Sequence, residues 1–206
     1  PILDAVREAA VELGVPHTED FNTGDNFGAG YFEVNQKSGI RFSAARAFLH
    51  PIRNRRNLTV LTHACAERLV LDGKQVTGIE LTVRGMPSHA RVDGELLLAA
   101  GAIGSPQILE LSGIGQGPLL QALGIEFRHE LPGVGENLQD HLQIRTIFGV
   151  SGTATLNERL STWRGMAAVA LEYALRRTGP MSMAPSQLGI FMPSDERLQT
   201  PNLEFH

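Results

Sequence analysis

Three features of the 206-residue sequence predict an α/β fold of the mixed, α+β kind. Helical periodicity appears near both ends, over residues 2–13 and 161–177, with charges set off the apolar face. β-Branched and apolar runs cluster over residues 58–83 around the turn signal Asp72-Gly73-Lys74-Gln75. A third run, Leu96-Leu97-Leu98-Ala99-Ala100, leads directly into small residues and a helix-start signal. Uninterrupted apolar runs of this length mark strands buried on both faces. Strands and helices interleaved in one chain argue for layered, mixed architecture.

The elements follow in order. The first helix places Ile2, Val6, Ala9 and Leu13 on one face. Pro1 suits its first turn, and Gly14-Val15-Pro16 ends it. Residues 19–30 are rich in Gly, Asn and Asp, a loop that leads to a strand at 31–35. Ser43 caps a short helix through Leu49, closed by Pro51. Strands follow at 58–64, 66–71 and 76–83, after which Gly85 and Pro87 break the pattern. The buried strand over 94–100 comes next. Ser105 then reads as an N-cap and Pro106 as the first residue of a helix that stops at Ser112-Gly113. A short helix spans 118–123, and residues 131–141 form a polar loop. The last helix, about 161–177, ends in Arg176-Arg177 and then Gly179-Pro180. Residues 202–206 alternate like a strand beginning.

Composition narrows the function. With 42% hydrophobic and 19% charged residues, the chain has the make-up of a globular protein with a core. A formal net charge of −4 supplies no basic field for a phosphate backbone, so nucleic acid is not expected as a partner. The lone Cys65 excludes an internal disulfide and a cysteine-rich zinc site. It agrees with a reducing, cytoplasmic compartment, and its place between Ala64 and Ala66 in a strand predicts a buried, inert thiol. The histidines are scattered without ligand spacing, so no metal site is expected. No transmembrane segment is expected either: the best run, 166–175, is short and carries Glu172. No basic n-region precedes an apolar core at the start. Both ends read as cut from a longer polypeptide.

Chemistry concentrates at Ala99-Ala100-Gly101-Ala102. Small residues at a strand end let a ligand approach the backbone. The helix behind them offers free N–H groups and a positive dipole end. Tight strand-to-helix packing accounts for the same residues without any ligand.

Gly101-Ala102-Ile103-Gly104-Ser105-Pro106-Gln107-Ile108-Leu109-Glu110-Leu111-Ser112-Gly113-Ile114-Gly115 resembles the second signature of the glucose-methanol-choline (GMC) oxidoreductases. Residues 39–49, 57–62, 78–80 and 131–141 resemble further stretches of that family in the expected order. The resemblance implies a central segment of a two-domain fold that binds FAD in one domain and substrate in the other, with a strand meander and flanking helices. Residues 1–56 would belong to the cap or substrate side, 57–145 to the FAD-binding domain and 146–206 to the start of the substrate-binding domain. The implied reaction oxidises the CH–OH group of a small-molecule alcohol to an aldehyde or ketone, with hydride passing to the flavin.

Residue roles carry over by position. Ala66 matches a position whose backbone contacts adenine, and Gly101 and Ala102 match the approach to the ribose and diphosphate. Asn137 and His141 lie in the loop that resembles a flavin-side segment. The family's catalytic histidine would lie beyond His206, and no G-x-G-x-x-G fingerprint is present, so the isolated chain is expected to be inactive and prone to self-association. Choline-oxidising members carry a glutamate where this sequence has Gln187. A neutral amide supplies no charge to a quaternary ammonium, which points to an uncharged alcohol. Local hydrogen bonding is the other reading of Gln187. A non-catalytic, truncated binding module and a choline dehydrogenase are the alternatives for the whole.

Overall fold

The computed structural model describes residues 2–206, so the reading of Pro1 lies outside the described residues. The chain opens with helix α1 (Ile2–Glu12), strand β1 (Gly28–Tyr31) and the short strands β2 (Gln36–Lys37) and β3 (Ile40–Arg41). A π-helical segment, Ala45–Leu49, runs into a 3₁₀ turn at His50–Ile52. Strands β4 (Ala64–Asp72), β5 (Gln75–Val83) and β6 (Met86–Arg91) precede helix α2 (Gly101–Leu111). Then come β7 (Ile114–Gly115), α3 (Gly117–Ala122) and β8 (His129–Glu130). Helices α4 (Leu156–Leu160) and α5 (Trp163–Arg176), a 3₁₀ turn at Pro180–Ser182, and strands β9 (Leu188–Met192) and β10 (Leu203–Phe205) complete the chain. Two compact units result: Arg55–Arg145 forms one, and the residues up to Asn54 together with Thr146–His206 form the other. The mixed fold class read from the sequence stands.

The discontinuous unit is built on an antiparallel sheet in the order β1-β9-β10. Gly28 pairs with Phe191, Ala29 with Ile190, Gly30 with Gly189 and Tyr31 with Leu188. Because side chains alternate along a strand, one face carries Ala29, Ile190 and Leu188. That face meets α1: Ala10, Val15 and Ala29 form a buried cluster, with Ile190 and Met192 packed against it. The inward line of α1 differs from the predicted one. Leu13 stays 86% exposed and Ile2 and Val6 about half exposed, while Ala10 is buried. Arg7 lies over the Tyr31 ring at 5.4 Å, and the Tyr31 hydroxyl donates to Asp4 at 2.7 Å. A small residue at the contact lets helix and sheet approach, and the larger side chains are left outside.

Strand β1 starts earlier than the predicted 31–35. Glycines are poor strand formers, but here the chain at Pro16–Thr18 presses on them: Ala29 N–H donates to the Pro16 carbonyl (2.8 Å) and Thr18 N–H to the Ala29 carbonyl (3.1 Å). A Cβ on Gly30 would strike the Thr18 carbonyl oxygen, so close backbone approach overrides propensity. The helix predicted over 43–49 forms as the π-helical segment, without a Ser43 side-chain cap. Pro51 does not close it but sits in the first turn of the following 3₁₀ turn, where its missing N–H costs nothing. The predicted 161–177 helix forms as α5, and a further short helix, α4, precedes it across Ser161-Thr162. Thr155 and Glu158 form a capping box on α4, the Thr162 hydroxyl caps α5 by accepting from Gly165 N–H at 3.1 Å, and Arg177 ends α5 in the left-handed region at φ +56°.

The continuous unit holds the meander β4-β5-β6. The predicted turn forms as read: Asp72 pairs with Gln75 around Gly73, which takes φ +58°. Of the predicted strands 58–64 and 66–71, the second forms within β4, which begins at Ala64, and residues 58–63 are not strand. Gly85 and Pro87 do not end the sheet. Arg84 and Gly85, both at positive φ, make the second hairpin turn, and β6 carries Pro87 because it is an edge strand with one side unpaired. The predicted buried strand over 94–100 is absent among the described residues: the segment is outside every sheet and Leu97 is 86% exposed. Apolarity alone does not make a strand, which needs a neighbour to pair its backbone groups. Helix α2 begins at Gly101 with Ala100 at its N-cap, so Ser105 and Pro106 lie inside the helix. Ser105 still satisfies a terminal donor, because its hydroxyl accepts from Ala100 N–H at 3.0 Å.

Candidate functional site

Helix α2 is held to the meander by one buried hydroxyl. Ser112, 7% exposed, accepts from Leu69 N–H of β4 at 2.8 Å and donates to the Ile108 carbonyl one turn back. At the other end of α2 the backbone is open. Gly101 takes φ +85°, a conformation that suits glycine, and a Cβ placed on it would meet no atom within 4 Å. Gly101 and Ala102 are both exposed. Their amides have no intrahelical acceptor, since the first turn of a helix lacks partners for its N–H groups.

Ala66 lies on β4, the edge of the meander, opposite Leu81, and is exposed. Cys65 beside it is exposed too, which corrects the expectation of a buried thiol. A cleft of about 760 Å³ runs along β4 between residues 67–71 and the 124–128 turn. Its polar side chains face one another rather than an open centre. Arg68 binds Glu80 through two contacts, 2.7 and 3.1 Å, Arg128 binds Glu126 at 2.9 Å, and the Thr82 hydroxyl donates to Glu67. The Arg68 guanidinium holds Glu80 below the usual carboxylate range.

Asn137 and His141 lie in the non-regular segment after β8, both exposed. Asn137 takes φ +55°, and its side-chain oxygen accepts from the Gln139 amide at 3.1 Å. His141 N–H donates to the Asp140 carboxylate at 2.8 Å. Ala66, Gly101, Ala102, Asn137 and His141 therefore belong to the continuous unit, and Gln187 belongs to the other.

Gln187 stands one residue before β9. Its carbonyl accepts from Phe32 N–H at 2.8 Å, which extends the β1–β9 ladder by a step and sets Gln187 opposite Phe32. Its side-chain amide donates to the Ala184 carbonyl at 3.4 Å, so the local hydrogen-bond reading of this residue is partly met. Sequence reasoning passed over what surrounds it. Phe21, Phe32 and Phe191 form a cluster with centroids 4.9–6.2 Å apart, and a cleft of about 320 Å³ opens along them. Phe191 lies 159 positions after Phe32 and 170 after Phe21. The one local signal is the alternation Gly28, Gly30, Phe32.

No group of three or more His, Cys, Asp or Glu able to hold a metal ion occurs among the described residues. No helix among them is long and apolar enough to cross a membrane.

A sequence model for GMC oxidoreductases matches residues 1–143. The chain belongs to the GMC oxidoreductase family. Over its whole length it is 36% identical to an oxygen-dependent choline dehydrogenase of Pseudomonas putida and 37% identical to one of Escherichia coli. It spans 37% of the length of these curated relatives. An FAD-dependent oxidoreductase from Chaetomium thermophilum superposes with a TM-score of 0.80 at 26% identity, over 93% of this chain and 34% of that one. Pyridoxine 4-oxidase from Mesorbium loti superposes with a TM-score of 0.65 at 39% identity, over 68% and 28%.

The GMC family implies FAD, and the backbone present fits such a group. The first turn of α2 offers unpartnered amides with no side chain in front of Gly101, which suits a diphosphate. The exposed edge of β4 at Ala66 offers main-chain groups past a methyl side chain.

Proposed function

We propose that the protein is an FAD-dependent oxidoreductase that converts the CH–OH group of an uncharged alcohol to an aldehyde or ketone. The observation that carries this reading is the open start of α2, with exposed Gly101 at φ +85° in a chain of the GMC family. When bound, FAD supplies the acceptor for the hydride that leaves the alcohol carbon. In this reading residues 57–145 are part of the FAD-binding domain. Ala66 offers its backbone to the adenine, Gly101 and Ala102 offer theirs to the ribose and diphosphate, and Asn137 and His141 lie on the flavin side. Residues 1–56 and 146–206 belong to the substrate side, with Gln187 as a neutral substrate-facing group. The base that takes the hydroxyl proton comes from the longer protein, so residues 1–206 by themselves are inactive. The single free cysteine supports a reducing, cytoplasmic compartment.

Choline is the second reading, and the choline dehydrogenase relatives favour it. The neutral Gln187 speaks against it, because a fixed ammonium charge gains most from a carboxylate partner at that position. Anaerobic mixing of the full-length flavoprotein with alcohols tests both. Bleaching of the flavin absorbance by neutral alcohols and not by choline supports the reading. Bleaching by choline alone overturns the role given to Gln187, and a purified full-length protein that takes up no FAD overturns the proposal.

A further inference from the structure

The sheet of the discontinuous unit has two faces, and α1 covers only one. The β1–β9 register puts Gly28 with Phe191 and Gly30 with Gly189, and the Phe32–Gln187 hydrogen bond adds the next pair. Directly paired residues share a face, so Phe32, Gln187 and Phe191 lie together on the side away from Ala10 and Val15. A Cβ on Gly189 would strike the Phe32 ring, which places that ring over the glycine between Gln187 and Phe191. Phe21 comes from the loop before β1 and packs on both rings, 5.4 Å from Phe32 and 4.9 Å from Phe191.

We infer that Phe21, Phe32 and Phe191 are specificity-determining residues, forming a wall beside Gln187 against which an aromatic ring of the alcohol substrate docks. The inference rests on the substrate-facing role proposed for Gln187 and names the substrate class more narrowly. The cleft of about 320 Å³ along the rings, whose lining includes Tyr31 and Asn26 but not Gln187, is roughly twice the volume of an apolar cavity that takes a benzene. Ring geometry decides between a ring and a cation. An ammonium cage needs aromatic faces standing apart around the charge. These rings touch one another, with centroids 4.9–6.2 Å apart and interplanar angles of 44–85°, and leave no gap between them for a quaternary ammonium. A flat ring docks on such a cluster stacked or edge-on. Asn26, half-buried in the cleft wall, supplies a polar side chain for a ring substituent. Glu33 at the rim is exposed to water.

The full-length flavoprotein tests this with benzyl alcohol and cyclohexylmethanol, which match in size and differ in aromaticity. The wild type should prefer benzyl alcohol in kcat/KM, by about two- to tenfold for each ring contacted. Phe191→Leu and Phe21→Leu should each lower that ratio. A wild type without the preference overturns the inference, as does an unchanged ratio in variants that retain FAD and the wild-type Tm. Binding is read separately from turnover, by ¹⁹F NMR of 4-fluorobenzyl alcohol. Line broadening that Phe191→Leu removes supports the wall even if no alcohol is oxidised, in which case the proposed activity alone fails. Oxidation of alcohols without aromatic preference or ring binding sinks the wall and leaves the activity standing. Choline serves as competitor: displacement of the fluorinated ring by choline at similar concentration also overturns the inference.

Discussion

Replacing Ser112 by alanine isolates the bond that joins α2 to the meander. The hydroxyl accepts from Leu69 N–H at 2.8 Å, and Ser112 and Leu69 are each 7% exposed. Alanine removes one oxygen, opens almost no volume and leaves the helix propensity intact. The Ile108 carbonyl keeps a partner, because Ser112 N–H still donates to it at 3.1 Å. The cost is therefore the unpartnered Leu69 N–H, a buried donor worth about 1–3 kcal/mol, or roughly a 5- to 150-fold change in the unfolding equilibrium. Urea denaturation of wild type and Ser112→Ala reads this as a lower midpoint at unchanged slope. Ser112→Thr keeps the hydroxyl and should recover most of the loss. If Ser112→Ala stays within about 0.5 kcal/mol of wild type, the range of ordinary surface substitutions, the hydroxyl does not tie α2 to β4.

Three further outcomes are expected. Gln187→Glu in the full-length enzyme should raise kcat/KM for choline relative to a neutral alcohol, and a ratio that does not move removes Gln187 from the substrate side. Gly30→Ala should cost about 1–3 kcal/mol, because its Cβ meets the Thr18 carbonyl oxygen and the backbone must shift; thermal melts at equal FAD loading measure it. Asp195 accepts from the Arg197 side chain and backbone, which hold its carboxyl at about 2 against an ordinary 3.8. A depressed pKa adds stability above the ordinary value that is lost as pH falls through about 2. In an NMR titration Arg197→Gln should move that midpoint back toward 3.8, and an unmoved midpoint refutes the pairing.

What the sequence made legible is the chemistry that acts over a few residues. The Asp72–Gln75 turn, helix α3 before Gly124 and the end of α5 near Arg176 follow from local rules about glycine, caps and charge. The start of α2 misled those rules in an instructive way. Ser105-Pro106 has the chemistry of a helix start, yet Gly101 begins the helix earlier, and Ser105 caps Ala100 from inside it. The strand expected at 94–100 failed because an apolar run carries no information about its neighbour. The aromatic wall stayed hidden for the same reason. Phe32 and Gln187 are opposite one another in the ladder and 155 positions apart in the chain, and no local pattern encodes that pairing. The resemblance to the GMC family was legible because its signature is contiguous, over residues 101–115.

The discontinuity of the β1–β9 sheet has a consequence for how the chain is made. Gly28 pairs with Phe191, 163 positions later. At roughly 5–20 residues per second on a ribosome, β1 waits about 8–33 s for its partner. The meander has its own short hairpins and needs no such delay, since local contacts form on far shorter times. The meander hairpins thus pair while β1 still lacks its partner strand. A slow refolding phase, sensitive to substitutions in β9 and indifferent to those in β5, is the kinetic signature of that order.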